Sequence, residues 1–338
     1  MLRAAGFVRA RVLVLVALAV LVLALGVYDR IGPTGRSAIV RIPRGAGAST
    51  VGELLAQAGV VRDGRAFAWL ARVSGRASAL PSGVFRLKGD GTIAVLEQLV
   101  SPALKPVMIR VTFVEGWRAV DQAAALREKG FDGDGFLTLV RFPPPGLKPG
   151  YDRAAGLEGY LFPDTYDFPA DASPEQLVRA MLTRFERELT DARLERLAAM
   201  GLDVHAWVTL ASLVQAEAGN ASEMPWIAGV FLNRLARGMP LQSDPTVAYA
   251  LGKRLPELDR SAGDFDVDSP YNTYRHPGLP PGPINNPGEA ALSAVLSPKR
   301  TSPRGRPYLY FFHARGKLYL NETFQGHLRD LNRYRYGR

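Results

Sequence analysis

Residues 207–219 read WVTLASLVQAEAG, an apolar helix pattern that ends on a single carboxylate. Trp207, Leu210, Ala211, Val214 and Ala218 recur at i, i+3, i+4, i+7 and i+11, the spacing of one buried helix face. Leu213 and Val214 precede Glu217 by four and three residues and flank it on the same side. Gly219 is the expected helix stop, which sets Glu217 at the C-terminal end. Apolar neighbours remove water from a carboxylate there, and the negative end of the helix dipole opposes its charge. Both effects raise its pKa. A carboxylic acid so placed can donate a proton near neutral pH. An exposed Glu at a fraying helix end fits the same spacing.

Working outward, Asn220-Ala221-Ser222 is a break, with Ser222 as the expected cap of a second helix. That helix carries Trp226, Ile227, Val230, Phe231 and Leu235 and ends at Gly238. The polar loop LQSDPT, residues 241–246, follows, and Pro245 opens a short helix. An acid thus faces a polar cleft.

The remaining chemistry is narrowed by elimination. The 338 residues include no Cys, so disulfides, thiolate catalysis and Cys-bound zinc are excluded. The four His, at 205, 276, 313 and 327, show no pair at metal-ligand spacing. No GxSxG or SxxK supports a serine acyl enzyme. What is left is carboxylate chemistry in a cleft rich in amides and aromatics, the repertoire of glycoside cleavage. Asn233, Gln242, Ser243, Asp244, Tyr271, Asn272 and Tyr274 suit a sugar: amides and hydroxyls match its polar groups, and aromatic faces stack on its ring. Each of them also reads as a loop or cap residue, and Asp244 before Pro245 fits a helix cap. Neither cofactor nor metal is expected.

Several segments, in order, resemble the endolytic murein transglycosylases, the MltG or YceG-like proteins. They are LEGYLFPDTY (157–166), ASLVQAE (211–217), GVFLNRL (229–235), GMPLQSDPT (238–246), SPYNTY (269–274), GLPPGPINNPG (278–288) and YLYFF (308–312). The resemblance covers nearly the whole chain and makes Glu217 the match to the family's catalytic acid. One departure stands out: where the family often has an acidic residue two positions earlier, this chain has Gln215. The implied activity is a lytic transglycosylase acting within peptidoglycan glycan strands and leaving 1,6-anhydro-muramyl ends. Cell-wall synthases at the membrane are the implied partners. A hydrolase using Asp244 or Asp164, and a glycan-binding scaffold without catalysis, are the alternatives.

The N-terminus assigns the compartment. Arg3, Arg9 and Arg11 precede the uncharged run VLVLVALAVLVLALGVY, residues 12–28. As a helix this run spans ~25 Å, slightly under the ~30 Å hydrocarbon core, with Arg11 and Tyr28 placed to reach the interfaces. Ala24-Leu25-Gly26 offers a signal-peptidase pattern, but the run exceeds the usual apolar region of ~7–15 residues and favours an uncleaved anchor. The Arg cluster keeps the N-terminus in the cytoplasm, so the rest lies outside the cytoplasmic (inner) membrane, in the periplasm. That argues against nucleic acid as a partner, although the formal charge is +10. Attraction of scattered Arg to an anionic membrane face or an acidic polymer is the other reading of that charge.

Strands over 39–42 and 83–87 and helices over 65–74 and 92–100 form a small α/β unit, with a capping box expected at Thr50 and Glu53. It resembles the LysM-like module that precedes the catalytic domain in the same family; glycan guiding and a spacer role both fit. Beyond it come a strand at 108–113, a helix at 118–126, an aromatic strand carrying Glu158 and Asp164, and a helix capped at Ser173. A hairpin turning at Arg315-Gly316 and a helix after Thr323 close the chain. The expectation is therefore an α+β protein. It has a cytoplasmic tail and transmembrane anchor (1–30), a LysM-like module (38–104) and a larger catalytic domain (105–338).

Overall fold

The computed structural model describes residues 2–147, 149–151 and 156–337, with side chains from residue 13 onward. The Arg3, Arg9 and Arg11 cluster lies outside the described side chains. The chain is mixed α+β and divides into two compact units, Met1–Ile109 with Asp167–Asp171, and Arg110–Tyr166 with Ala172–Arg338.

The first unit opens with α1 (Leu2–Ile31). Its segment Leu13–Ile31 has mean hydropathy 2.2 and no buried share, and is long and apolar enough to cross a membrane. Then come β1 (Ser37–Ile42), α2 (Ala48–Gln57), α3 (Gly64–Val73), β2 (Gly83–Lys88) and α4 (Thr92–Val100). β1 and β2 pair antiparallel with Val40 opposite Phe85. Alternation turns Val40, Ile42, Phe85 and Leu87 inward onto Val51, Leu55, Phe67 and Leu96 of the helices. Each such fully buried side chain contributes roughly 1.5–3 kcal/mol. α2 and α3 touch backbone to backbone: a Cβ on Gly52 would lie 2.2 Å from the Gly64 carbonyl oxygen.

β3 (Met108–Thr112), α5 (Ala119–Glu128), α6 (Gly133–Arg141), β4 (Thr165–Pro169), α7 (Pro174–Glu186) and α8 (Asp191–Met200) come next, with β3 and β4 paired. α9 (Val204–Glu217) then runs through the middle of the second unit, with every residue from Trp207 to Val214 buried. Asp203 caps its start by accepting from the Ala206 N–H at 2.7 Å. α10 (Met224–Leu235), α11 (Asp244–Ala250) and α12 (Glu289–Leu296) pack around it. The Trp207 indole donates to the Leu292 carbonyl of α12 at 2.9 Å, which satisfies the one polar atom of that buried ring. Gly229 lets α10 meet the chain after α12, since a Cβ there would lie 2.0 Å from the Lys299 carbonyl oxygen. The hairpin β5 (Tyr310–Ala314) and β6 (Lys317–Asn321) turns at Arg315 and Gly316, both at positive φ, and α13 (Phe324–Tyr334) follows.

Several local expectations need correction. α2 begins at Ala48 after an extended Gly47, so Thr50 lies inside the first turn and makes no cap. Glu223, not Ser222, occupies the N-cap position of α10; the Ser222 hydroxyl turns back to Asn220 Oδ1 at 2.6 Å. Residues 157–164 are turns, and only Thr165–Pro169 is strand. The Ser173 capping box, by contrast, is formed with Gln176.

Candidate active site

Glu217 is the last helical residue of α9, and its apolar neighbours are held by the packing of α9 against α10, α11 and α12. Its side chain keeps partial access to solvent, while the packing removes most of the water a carboxylate needs. Burial is the main cause that raises its pKa to about 7. The nearby Asp244 charge pushes the same way, while Ser243 and the Arg234 guanidinium pull it down. The Ser243 hydroxyl donates to Glu217 Oε1 at 2.6 Å, which leaves Oε2 as the oxygen free to carry a proton.

Ser243 is delivered by a tightly fastened strap. Gln242 takes a left-handed backbone, φ 52°, which a non-glycine residue adopts only when its surroundings hold it there. The Gln242 N–H donates to the Thr273 carbonyl at 3.1 Å, and the Ser243 N–H to Thr273 Oγ1 at 3.0 Å. Thr246 completes the knot, donating to the Ser243 carbonyl at 2.7 Å. Beneath lies Arg234, buried, its guanidinium donating to the carbonyls of Leu309 and Leu241 at 2.7 Å each. Asp244 is the first residue of α11 and accepts at Oδ1 from the Tyr274 hydroxyl. Arg260 reaches the same pair, 3.2 Å from the Tyr274 oxygen and 3.8 Å from Asp244, and lies over the Phe265 ring at 3.7 Å.

Ser243 thus contacts Glu217 and the charge of Asp244 reaches it, with Tyr274 bonded to Asp244 and Gln242 in the strap beside Ser243. Asn233 and Asn272 are placed differently. The Asn233 amide donates to the carbonyls of Arg300 and Tyr308 and accepts from Arg300 Nε at 2.8 Å, joining α10 to the chain before β5. Asn272, fully buried, donates to the carbonyls of Phe265 and Val267 at 2.9 Å each. Tyr271 packs on Tyr249 with ring centroids 4.9 Å apart.

A groove of about 600 Å³ runs past the end of α9, lined by Gln215 and Ala216, the latter next to Glu217 in the chain, and by Trp117, Arg118, Arg254 and Asn285. Gln215 Oε1 accepts from the Gly288 N–H at 3.0 Å, so the amide binds loop 278–288 to α9. Asn285 donates to the Ser212 carbonyl at 2.8 Å, while its buried Oδ1 has no hydrogen-bond partner among the described residues. Glu223 is an anion of a different kind. Burial works against its charge, but His313 Nε2 at 3.0 Å and the Gly219 N–H at 2.9 Å hold its carboxyl below the usual range. It secures the turn that follows Glu217.

Arg234, Thr273 and Asn285 are the residues whose part sequence reading did not reach. The Glu158 carboxyl, like that of Glu217, is pushed by burial to about 7. Both its oxygens accept from the Ala119 N–H, at 2.9 and 3.2 Å, and Oε1 also accepts from Asn286 at 2.8 Å. Asp164 instead pairs with Arg184 at 2.7 Å and stays ionised. Among the described residues no three His, Asp or Glu side chains come together as a metal would need.

The model of the YceG-like family matches residues 40–333. The protein named endolytic murein transglycosylase in Bacillus subtilis is 32% identical over 312 residues, spanning 87% of this chain and 84% of that one. A Streptococcus pneumoniae protein of the same name is 30% identical over 322 residues, 86% of this chain and 57% of that longer one. The crystal structure of a yceG-like protein from Listeria monocytogenes superposes with a TM-score of 0.57 at 28% identity, covering 87% of this chain and 98% of that one. The chain belongs to the YceG-like family.

Proposed function

We propose that the protein is an endolytic peptidoglycan transglycosylase, like the relatives that carry that name, and that Glu217 is its acid and base. The observation that carries this reading is the Glu217 carboxyl itself, desolvated, with a pKa near 7 and hydrogen-bonded on one oxygen by Ser243. At neutral pH a large share of it is protonated. Oε2 donates its proton to the oxygen between N-acetylmuramic acid and N-acetylglucosamine, and the bond from that oxygen to the muramyl C1 breaks. Positive charge develops at C1. The Glu217 carboxylate then takes the proton of the muramyl C6 hydroxyl as its oxygen bonds to C1, closing the 1,6-anhydro ring. One residue serves both steps because the nucleophile belongs to the substrate and its attack is intramolecular.

A hydrolase requires a second carboxylate to activate water or attack C1. Asp244 is the nearest candidate, and its hydrogen bond to Tyr274 and proximity to Arg260 favour a role in positioning the sugar. Gln242 and Tyr274 are the other proposed sugar contacts, with Tyr271 on an adjoining wall and Asn233 and Asn272 supporting the cleft from behind. Residues 1–30 are read as a cytoplasmic tail and single-pass anchor, 38–104 as a LysM-like module that contacts glycan, and 105–338 as the catalytic domain. This places the active unit on the outer side of the inner membrane, within reach of cell-wall synthases. Mass spectrometry of muropeptides released from purified sacculi tests the reaction: anhydro-muramyl ends support it, and mostly reducing muramic acid ends overturn it in favour of hydrolysis.

A further inference from the structure

Beside the groove that Gln215 and Ala216 line lies a second cavity of about 530 Å³. Arg118, Val120 and Gly252 line both, so the two share a wall. The second cavity has a distinct chemistry. Its charged lining is Arg118, Arg141 and Glu158, with the apolar side chains of Leu137 and Val140 beside Arg141 on the same face of α6. The Arg118 guanidinium lies 5.4 Å from the centre of the Tyr249 ring, and Tyr249 in turn packs on Tyr271. Arg141, at the exposed end of α6, makes no hydrogen bond or ion pair among the described residues. Glu158 clamps the N–H of Ala119, the first residue of α5, and thereby fixes the residue beside it, Arg118.

We infer that this cavity is a subsite for a free carboxylate of the peptide stem carried by the muramyl residue, an inference that rests on the transglycosylase reading above. The charge balance selects an anion. Two guanidinium groups against one carboxyl, ionised or neutral, leave the cavity net positive, and a carboxylate matches the planar fork of a guanidinium. The apolar wall fits the methyl groups of alanine residues, the small side chains of such stems. Adjacency supplies the third argument. The stem is covalently attached to the same sugar whose C1 reacts, and the cavity shares a wall with the groove that Ala216, the residue before Glu217, lines. Arg118 and Arg141 recognise the carboxylate, and Glu158 acts as a positioning residue through Ala119.

The test is equilibrium binding to the full chain in detergent carrying Glu217→Gln, which prevents turnover. The probes are N-acetylmuramyl-L-alanyl-D-isoglutamine, an acid with one free carboxylate, and its analogue with that carboxylate converted to a carboxamide. The acid is expected to bind about tenfold more tightly, the usual scale for one charged hydrogen bond, and adding Arg141→Ala should bring the ratio close to one. Equal binding of acid and amide overturns the subsite, as does a preference that survives R141A or displacement of the acid by an equal concentration of inorganic phosphate. Because Arg141 is exposed, its loss is compatible with folding, and the acid-to-amide ratio in the parent variant needs no further mutation. The readouts also separate the two readings. Anhydro ends from sacculi without an acid preference leave the activity standing and remove the subsite. An Arg141-dependent preference in a chain that cleaves no glycan does the reverse.

Discussion

Ser243 donates a 2.6 Å hydrogen bond to Glu217 Oε1, joining the end of α9 to a strap that comes 26 residues later in the chain. A hydroxyl in that position can serve the carboxyl in both states, since it stabilises the charged form and leaves the other oxygen to carry the proton in the neutral one. Around it, burial and the Asp244 charge push the Glu217 pKa upward, and the outcome is about 7.

Glu217→Gln keeps the shape of the side chain but cannot donate a proton, and glycan cleavage should fall by ~10²–10⁴. Folding stability should change in a pH-dependent way. The folded pKa is raised above the ordinary glutamate value of 4.5, so the stabilising contribution is present below about 4.5 and is lost as pH rises through about 7. At pH 8 the Gln variant should therefore be more stable than wild type, by on the order of 1 kcal/mol after allowing for residual solvent access. Parallel assays of turnover and thermal unfolding at pH 5 and 8 check both signs.

Wild-type kcat/KM should decline as pH rises through about 7, as Glu217 loses the proton it must donate. Ser243→Ala removes a bond that lowers that pKa, so the alkaline limb should move to higher pH while the maximum rate drops. A limb that moves to lower pH contradicts the role given to Ser243.

Asp244→Asn should slow cleavage yet leave the products ending in anhydro-muramyl groups. Its hydrogen bond from Tyr274 can be kept by the amide oxygen, while the attraction to Arg260 is lost. Loss of all product, or a switch in the chemistry of the ends, would show that this carboxylate takes part in bond breaking.

Removing residues 1–30 should release a soluble protein that still cleaves glycan in vitro, because Glu217, Ser243 and the groove belong to the second unit. Sedimentation after cell lysis and a sacculus assay on the supernatant measure the two halves of that statement.

Gly229→Ala should destabilise the second unit by roughly 1–3 kcal/mol, the usual cost of overpacking, since the added Cβ would meet the Lys299 carbonyl at 2.0 Å. Denaturant titration of wild type and variant gives the difference directly. An unchanged midpoint would mean that segment 299–300 moves aside freely.

What the sequence alone determined is what depends on near neighbours. The periodicity of residues 204–217 needs only the geometry of one helix, so α9 and the placing of Glu217 at its end could be read in advance. The same holds for the Ser173 capping box and the Arg315-Gly316 turn. Thr50 and Ser222 had the local chemistry of caps, but the backbone entered both helices elsewhere, at Gly47 and Glu223. Tertiary structure decided the rest. Asn233 and Asn272 are amides that could have faced a sugar, yet they hold backbone carbonyls, those of Arg300 and Tyr308 lying 67 and 75 residues beyond Asn233. Glu158 becomes a buried acid only because Ala119 and Asn286, 39 residues before it and 128 after, fold against it. Desolvation of a carboxyl is the sum of everything packed around it. No spacing within one segment records that sum, which is why Glu217 and the direction of its pKa shift could be read from its own helix while its Ser243 partner and the size of that shift required the whole unit.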